Sequence, residues 1–417
     1  MGGMMYSERE LLIIVIIGTI ALLSTITLLI VLNKAWREAR EAIARRRRRI
    51  LEPDVFRYVG AADTRTIREF LALPMSNGDS RLVEGILLDM AALVKGESRD
   101  RITAACEAVG LVARTIEGLK SRRWWKRAES AEKLGVMRSQ QAVEPLVQVM
   151  NDPMGEVRIR AARALGLIRG STSIRPLVLA LADPSRWSAI RVAEILIGVG
   201  EDAVQELLQG YDSLPQHARV SVLDVLGRIR TPRAASLLRK ALKDPNDDAR
   251  ARAAHAMGLI ADPLFTDDLI GALKDGHWAV RAQAAKALGR MDARKAIPPI
   301  AALLGDREWW ARSNAGDALR VLGPPGREAL VKSLDAADIY ARHQAVSQLQ
   351  EGGIIDEYVS DLGSPETARR EAAVQFIRKV IALQRIDHLS QQAVEHTQAS
   401  VRKALLGILK RVPEGAS

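Results

Sequence analysis

Arginine, aspartate and tryptophan are the residues of this chain whose placement lends itself to chemistry. Arg122, Arg123, Trp124, Trp125, Lys126 and Arg127 form its densest aromatic-basic cluster. That combination stacks bases and grips phosphate, and it also anchors protein interfaces. Trp187, Trp278, Trp309 and Trp310 each stand two to four residues ahead of a further arginine, at Arg191, Arg281 and Arg312. Catalytic chemistry has much less to work with. There are six histidines and one cysteine in 417 residues. His255, His277 and His343 have no acidic neighbour beside them, and Cys106 lies among Ala104, Ala105 and Val109, the surroundings of a core residue. A single cysteine forms no intramolecular disulfide and no cysteine-rich metal site, which excludes a disulfide-stapled extracellular scaffold. No catalytic residue, metal-ligand set or cofactor site is expected.

The elements that position these residues are helices. The composition, 48% hydrophobic and 27% charged with only 4% aromatic, is that of a folded chain, and β-branched runs are scarce after residue 32. Self-similarity then fixes the organisation. Residues 156–168, 248–260 and 279–291 align, each with an arginine, paired alanines one turn later (Ala161 and Ala162, Ala253 and Ala254, Ala284 and Ala285), then Leu or Met followed by Gly. The marker arginine recurs at Arg127, Arg158, Arg191, Arg219, Arg250, Arg281, Arg312, Arg342, Arg369 and Arg402, with a degenerate unit at Arg101. Each unit reads as a short apolar helix, an Asp-Pro or Asp-Gly turn such as Asp152-Pro153 or Asp275-Gly276, and a second helix that carries the arginine near its start. One such hairpin cannot bury its apolar face alone, so the units are expected to stack.

Residues 11–32 contain no charge, and at about 1.5 Å per residue they span roughly 33 Å, enough for a transmembrane helix. The acidic start at Glu8 and Glu10 and the absence of a small-residue cleavage site argue against a cleaved signal peptide. Residues 1–50 carry nine Lys or Arg against four Asp or Glu, so +5 of the formal net charge of +11 sits there. It lies mainly beyond the apolar run, which places the C-terminal side in the cytoplasm. Lys34, Arg37, Arg45, Arg46, Arg47, Arg48 and Arg49 are candidates for anionic lipid headgroups. The expected plan is a short non-cytoplasmic N-terminus (1–10), the transmembrane helix (11–32), a basic juxtamembrane helix (33–52) ended by Glu52, Pro53 and Asp54, a degenerate helical N-cap (53–96), the repeat solenoid (97–411) and a tail (412–417).

The repeat resembles the bacterial HEAT-like repeat, often called the phycobilisome-lyase HEAT-like repeat, with a period of about 31 residues. The resemblance covers roughly residues 97–411, is clearest from Trp124 to Met291, and loosens after Arg320, where the glycine is lost. It implies an all-α, right-handed α-solenoid of about ten helical hairpins. It also implies that the arginines and aspartates cap helices and bridge neighbouring units, and that a tryptophan ahead of the arginine commonly plugs the gap between turns. On function it is nearly silent, since such solenoids serve as scaffolds, adaptors, enzymes and DNA-repair proteins alike. A hydroxylase of this type would hold two irons on paired His-Glu motifs, and no His-Glu dipeptide occurs. A bilin lyase of this type would be soluble.

The function expected from these readings is a single-pass inner-membrane protein whose cytoplasmic solenoid binds a protein partner, as a scaffold or as an accessory subunit of a membrane enzyme or transporter. The expected contact residues are Arg122, Arg123, Trp124, Trp125, Lys126, Trp187, Trp278, Trp309 and Trp310. Nucleic-acid binding through the Arg122–Arg127 cluster, as HEAT-like DNA glycosylases use this fold, and a lyase-type activity are the weaker alternatives. The soluble part is only mildly basic and is tethered to a membrane.

Overall fold

The computed structural model describes residues 8–60, 77–94, 96–184, 188–383 and 387–410, and every regular element among them is helical. The chain divides into two compact units, residues 1–168 and 169–417.

The first unit contains α1 (Glu8–Gly60), α2 (Asn77–Leu93), α3 (Glu97–Ala108), α4 (Leu111–Gly118), α5 (Trp124–Met137), α6 (Val143–Val149) and α7 (Gly155–Ile168). α1 is 53 residues long. It does not stop at Pro53 as its sequence suggests. The helix continues because Val55 and Val59 are buried and its far end packs on α2 and α3. Pro53 itself lies on the exposed side, where the carbonyl left without its helical donor can be hydrated. Two ion pairs reinforce this junction. Arg47 donates through Nε and Nη2 to the two carboxylate oxygens of buried Asp79 at 2.6 and 2.9 Å, and Arg48 reaches Asp89. Among the described residues α1 is the one helix long and apolar enough to cross a membrane, and its residues from Ile16 to Leu32 are all exposed.

The second unit contains α8 (Ser171–Ala180), α9 (Ala189–Val199), α10 (Val204–Gly210), α11 (Gln216–Ile229), α12 (Ala235–Ala241), α13 (Asp247–Ile260), α14 (Thr266–Ala272), α15 (Trp278–Arg290), α16 (Ile297–Ala302), α17 (Trp309–Val321), α18 (Pro324–Ser333), α19 (Ile339–Glu351), α20 (Ile354–Asp361), α21 (Thr367–Ala382), α22 (Asp387–Glu395) and α23 (Ala399–Leu409). Counting each short helix with the longer one after it, α4/α5 and α6/α7 make two repeats in the first unit, and α8/α9 through α22/α23 make eight in the second. α2/α3 is the degenerate hairpin.

Within each unit the second helices stack in series, α5 against α7 and α11, α13, α15 and α17 in order. The reason is in the small residues: Ala253, Ala254, Ala284 and Ala285 are fully buried, so neighbouring helices can come together at backbone distance. Leu223, Leu226, Met257, Leu288 and Leu319, also fully buried, fill the space beside them. At about 25 cal/mol per Å² of apolar surface, this continuous burial between neighbours supplies the stability that no single hairpin has.

Candidate partner-binding surface

The arginine is the fourth residue of nearly every second helix, one turn in from the N-cap, and its geometry repeats. In Arg127, Arg158, Arg250, Arg281 and Arg312, Nη1 donates to the two backbone carbonyls of the preceding turn, six and five residues back, for example Asp275 (2.8 Å) and Gly276 (3.2 Å) for Arg281. Arg370 and Arg402 do the same. This pattern corrects the register read from sequence at one place. In α21 the marker is Arg370, while Arg369 is exposed and pairs with Glu366. At the degenerate hairpin the pattern is incomplete: buried Arg99 donates to the Val94 and Val136 carbonyls, and exposed Arg101 lies beside Glu97.

The opposite edge of the guanidinium takes a carboxylate of the following repeat. Arg127 forks onto Asp152 at 2.6 and 2.9 Å, Arg250 onto Asp275 at 2.8 and 3.0 Å, and Arg281 onto Asp306 at 2.6 and 2.7 Å. Each aspartate also accepts the backbone N–H two residues on, from Met154, His277 and Glu308. One carboxylate thus closes its own turn and ties it to the helix before it, in the bidentate geometry that is strongest for arginine. Burial alone would raise the aspartate pKa values. The arginine hydrogen bond and the backbone N–H outweigh it and hold Asp152, Asp275 and Asp306 below the ordinary carboxylate range. These arginines are engaged within the fold.

The tryptophans occupy the first positions of the same helices: Trp124 and Trp125 open α5, Trp278 opens α15, and Trp309 and Trp310 open α17. They lie before the first buried turn, so their rings project from the helix ends. Trp124, Trp125, Trp278, Trp309 and Trp310 retain 43, 49, 36, 54 and 56% of their accessible surface. Both members of both pairs are exposed rather than enclosed in the stack. Trp309 and Trp310 meet edge to face with centroids 4.6 Å apart, and the Arg123 guanidinium lies 5.1 Å from the Trp125 ring. Arg122, Arg123 and Lys126 are exposed beside the first pair. Trp187 lies outside the described residues.

Two residues escaped the sequence reading. Ile339 and Tyr340 open α19 and are exposed, with the Arg312 guanidinium 4.8 Å from the Tyr340 ring. Their signal was register: they stand three and two residues ahead of Arg342, where Trp309 and Trp310 stand ahead of Arg312. Within the second unit, α15, α17 and α19 therefore each begin with exposed aromatic or large apolar side chains.

Cys106 and His255 are withdrawn from solvent to different degrees. Cys106 is fully buried and burial pushes its thiol up to about 12, which leaves it protonated and unreactive. His255 is half-buried, its pKa lowered by desolvation, with Nδ1 3.2 Å from the Gln283 amide oxygen. Among the described residues no three His, Cys, Asp or Glu side chains gather as a metal site requires. Of the basic residues on α1, Lys34, Arg37, Arg45, Arg46 and Arg49 are exposed; Lys34 and Arg45 lie beside Glu38 and Glu41. Arg47 and Arg48 are the pair that joins α1 to α2.

Comparison with known proteins bears out the repeat. The family model described as HEAT repeats matches residues 112–198, 204–276 and 266–350, more than half of the chain. No curated protein matches the chain. Among solved structures, an engineered protein is 18% identical over 82% of this chain and 98% of its own, with a TM-score of 0.32. Kap121p bound to Pho4p is 13% identical over 85% of this chain and 48% of its own, with a TM-score of 0.42. Kap121p bound to RanGTP is 15% identical over 87% and 47%, with a TM-score of 0.41. The chain spans about half the length of the Kap121p structures. With its repeated Arg–Asp brace, its stacked small-residue helices and this match, the chain belongs to the HEAT-repeat family.

Proposed function

We propose that this chain is a single-pass membrane protein whose HEAT repeats hold a protein partner on the cytoplasmic side, as a scaffold or as an accessory subunit of a membrane enzyme or transporter. The observation that carries the reading is the exposure of both Trp309 and Trp310 at the start of α17. Two large adjacent aromatics left more than half in water are costly unless something covers them, and tryptophan and arginine are among the residues most enriched where interfaces concentrate their binding energy.

The membrane part of the proposal is supported by the apolar stretch of α1, which is exposed from Ile16 to Leu32 and suits a lipid surrounding. Charge sets the orientation, with the repeats on the Lys- and Arg-rich side. The unbroken helix narrows the lipid contact. At about 1.5 Å per residue, Lys34 and Arg37 lie within roughly 8 Å of the end of the apolar run, whereas Arg45 lies about 20 Å along, past the headgroups and beyond a Debye length. Lys34 and Arg37 are therefore the headgroup candidates. Arg45–Arg49 act through topology, and Arg47 and Arg48 brace the stalk.

The test is affinity purification of the full chain from membranes, with mass spectrometry, beside the Trp309→Ala/Trp310→Ala variant. A partner retained by the natural chain and lost from an equally stable variant supports the proposal; identical sets of retained proteins contradict it.

A further inference from the structure

The Arg–Asp brace of the second unit loses its carboxylates part way along. Asp306 stands six residues ahead of Arg312 and receives Arg281; the equivalent position six residues ahead of Arg342 is Ala336, and six ahead of Arg370 it is Ser364. Arg312 keeps its carbonyl anchors at Asp306 (2.7 Å) and Arg307 (3.0 Å). Its Nε and Nη2 edge, which in Arg127, Arg250 and Arg281 binds aspartate, has no carboxylate among the described residues. The acidic residue of that turn, Asp338, is used to cap α19, accepting from the Ala341 N–H at 2.9 Å. Arg342 goes further: its Nε is buried without any partner, and the side chain lines a groove of about 380 Å³ with Leu334, Ile339, His343, Lys379 and Leu383. No acidic residue lines this groove, and Lys379 is paired with Asp335.

We infer that Arg312 and Arg342 receive carboxylates from outside, and that the ligand is an extended acidic segment of a partner protein with two acidic residues three positions apart. The guest carboxylates would stand where the fold elsewhere places its own aspartates. Second helices one repeat apart pack at about 8–10 Å, and three residues of extended chain cover about 10 Å, so consecutive guanidiniums match that spacing. Trp309, Trp310, Ile339 and Tyr340, all exposed, flank the two arginines and would take the side chains between the acids. A planar, bidentate site already selected for carboxylate within the same fold favours an acidic peptide over a phosphodiester chain.

The inference rests on the partner-binding reading and is tested separately from it. The probe is a fluorescein-labelled hexapeptide carrying two aspartates three positions apart around a leucine and a proline, with a twin in which both aspartates are asparagine. The full chain in detergent should bind the acidic peptide with a Kd below about 1 mM and the twin at least about tenfold more weakly. Ala336→Asp and Ser364→Asp supply the missing internal carboxylates without removing either arginine. Together they should leave the melting temperature unchanged or raised and weaken the acidic peptide by at least about tenfold. Binding unaffected by the two substitutions, binding of both peptides alike, no binding at all, or tighter binding of an oligothymidylate at the same arginines would overturn it. If Trp309 and Trp310 govern partner capture while the double aspartate variant does not weaken the peptide, the inference fails and the proposed function stands.

Discussion

Gly258 lies so close to Ala287 of the next repeat that a methyl group built on the glycine would stand 2.6 Å from the alanine Cβ and 2.7 Å from its Cα. The same meeting recurs between Gly227 and Ala256, Gly289 and Ala318, and, in the first unit, Gly135 and Ala164. It is backbone contact that spaces these helices, so the glycine acts by absence of bulk. Gly258→Ala should therefore destabilise by about 1–3 kcal/mol through overpacking. Gly198 in α9 stands seven rather than eight residues after its arginine, on the exposed side, and a methyl group built on it has nothing within 4 Å, so Gly198→Ala should stabilise by about 0.5–1 kcal/mol through helix propensity. Denaturant melts of the two variants should move in opposite directions.

Acid should weaken the brace before it weakens the core. Asp152, Asp275 and Asp306 have folded pKa values below their unfolded ones, so their stabilisation is fully present at neutral pH and is lost as pH falls through the ordinary carboxylate range, about 4, and below. Asp306→Asn should cost about 2 kcal/mol at pH 7 by leaving nearly buried Arg281 without its counter-charge. The cost should shrink on acidification. A melt series from pH 7 to pH 3 checks this, and a cost independent of pH would show the carboxylate charge to be idle.

The exposed tryptophans should be cheap to remove and buried aromatics expensive. Trp309→Ala and Trp310→Ala are each expected to change stability by less than about 1 kcal/mol and to weaken partner association by about 2 kcal/mol. Phe265, fully buried between α13 and α14, should cost about 3–5 kcal/mol on truncation to alanine. Thermal melts of the full chain in detergent separate the two classes.

The repeat was legible because it is a contrast of bulk. Alanine pairs, a leucine and a glycine at fixed offsets from an arginine leave one stacking solution, and ten hairpins follow. Register was harder where the pattern thins: Arg369 and Arg370 are adjacent, and only the Nη1 contacts to Ser364 and Pro365 single out the second. Pro53 reads locally as a stop, yet the buried Val55 and Val59 continue the helix, a tertiary effect that no local rule carries. Whether tryptophan at the head of a helix packs inward or faces water depends on the turn before it, so the rim was nameable from sequence but its exposure was not. Ile339 and Tyr340 went unseen because tryptophan, rather than register, was the signal followed.

Orientation in the membrane is checked independently of any partner. A reporter active only in the cytoplasm, fused after Ser417, should be active, because the basic residues from Lys34 to Arg49 outweigh the acidic flank at Glu8 and Glu10. Reversing the bias by changing Arg45, Arg46 and Arg49 to glutamate should lower that activity and raise the signal of a periplasmic reporter.

The most direct test of a partner-holding surface is photo-cross-linking in intact membranes, with a photoreactive phenylalanine analogue in place of Trp310 and, separately, in place of Leu264. Leu264 is exposed but sits in the turn that precedes α14, away from the heads of the second helices. A discrete adduct of higher mass from position 310, reduced by Trp309→Ala and missing from position 264, is the expected result. No adduct from position 310, or the same adducts from both positions, would contradict a partner held at the start of α17.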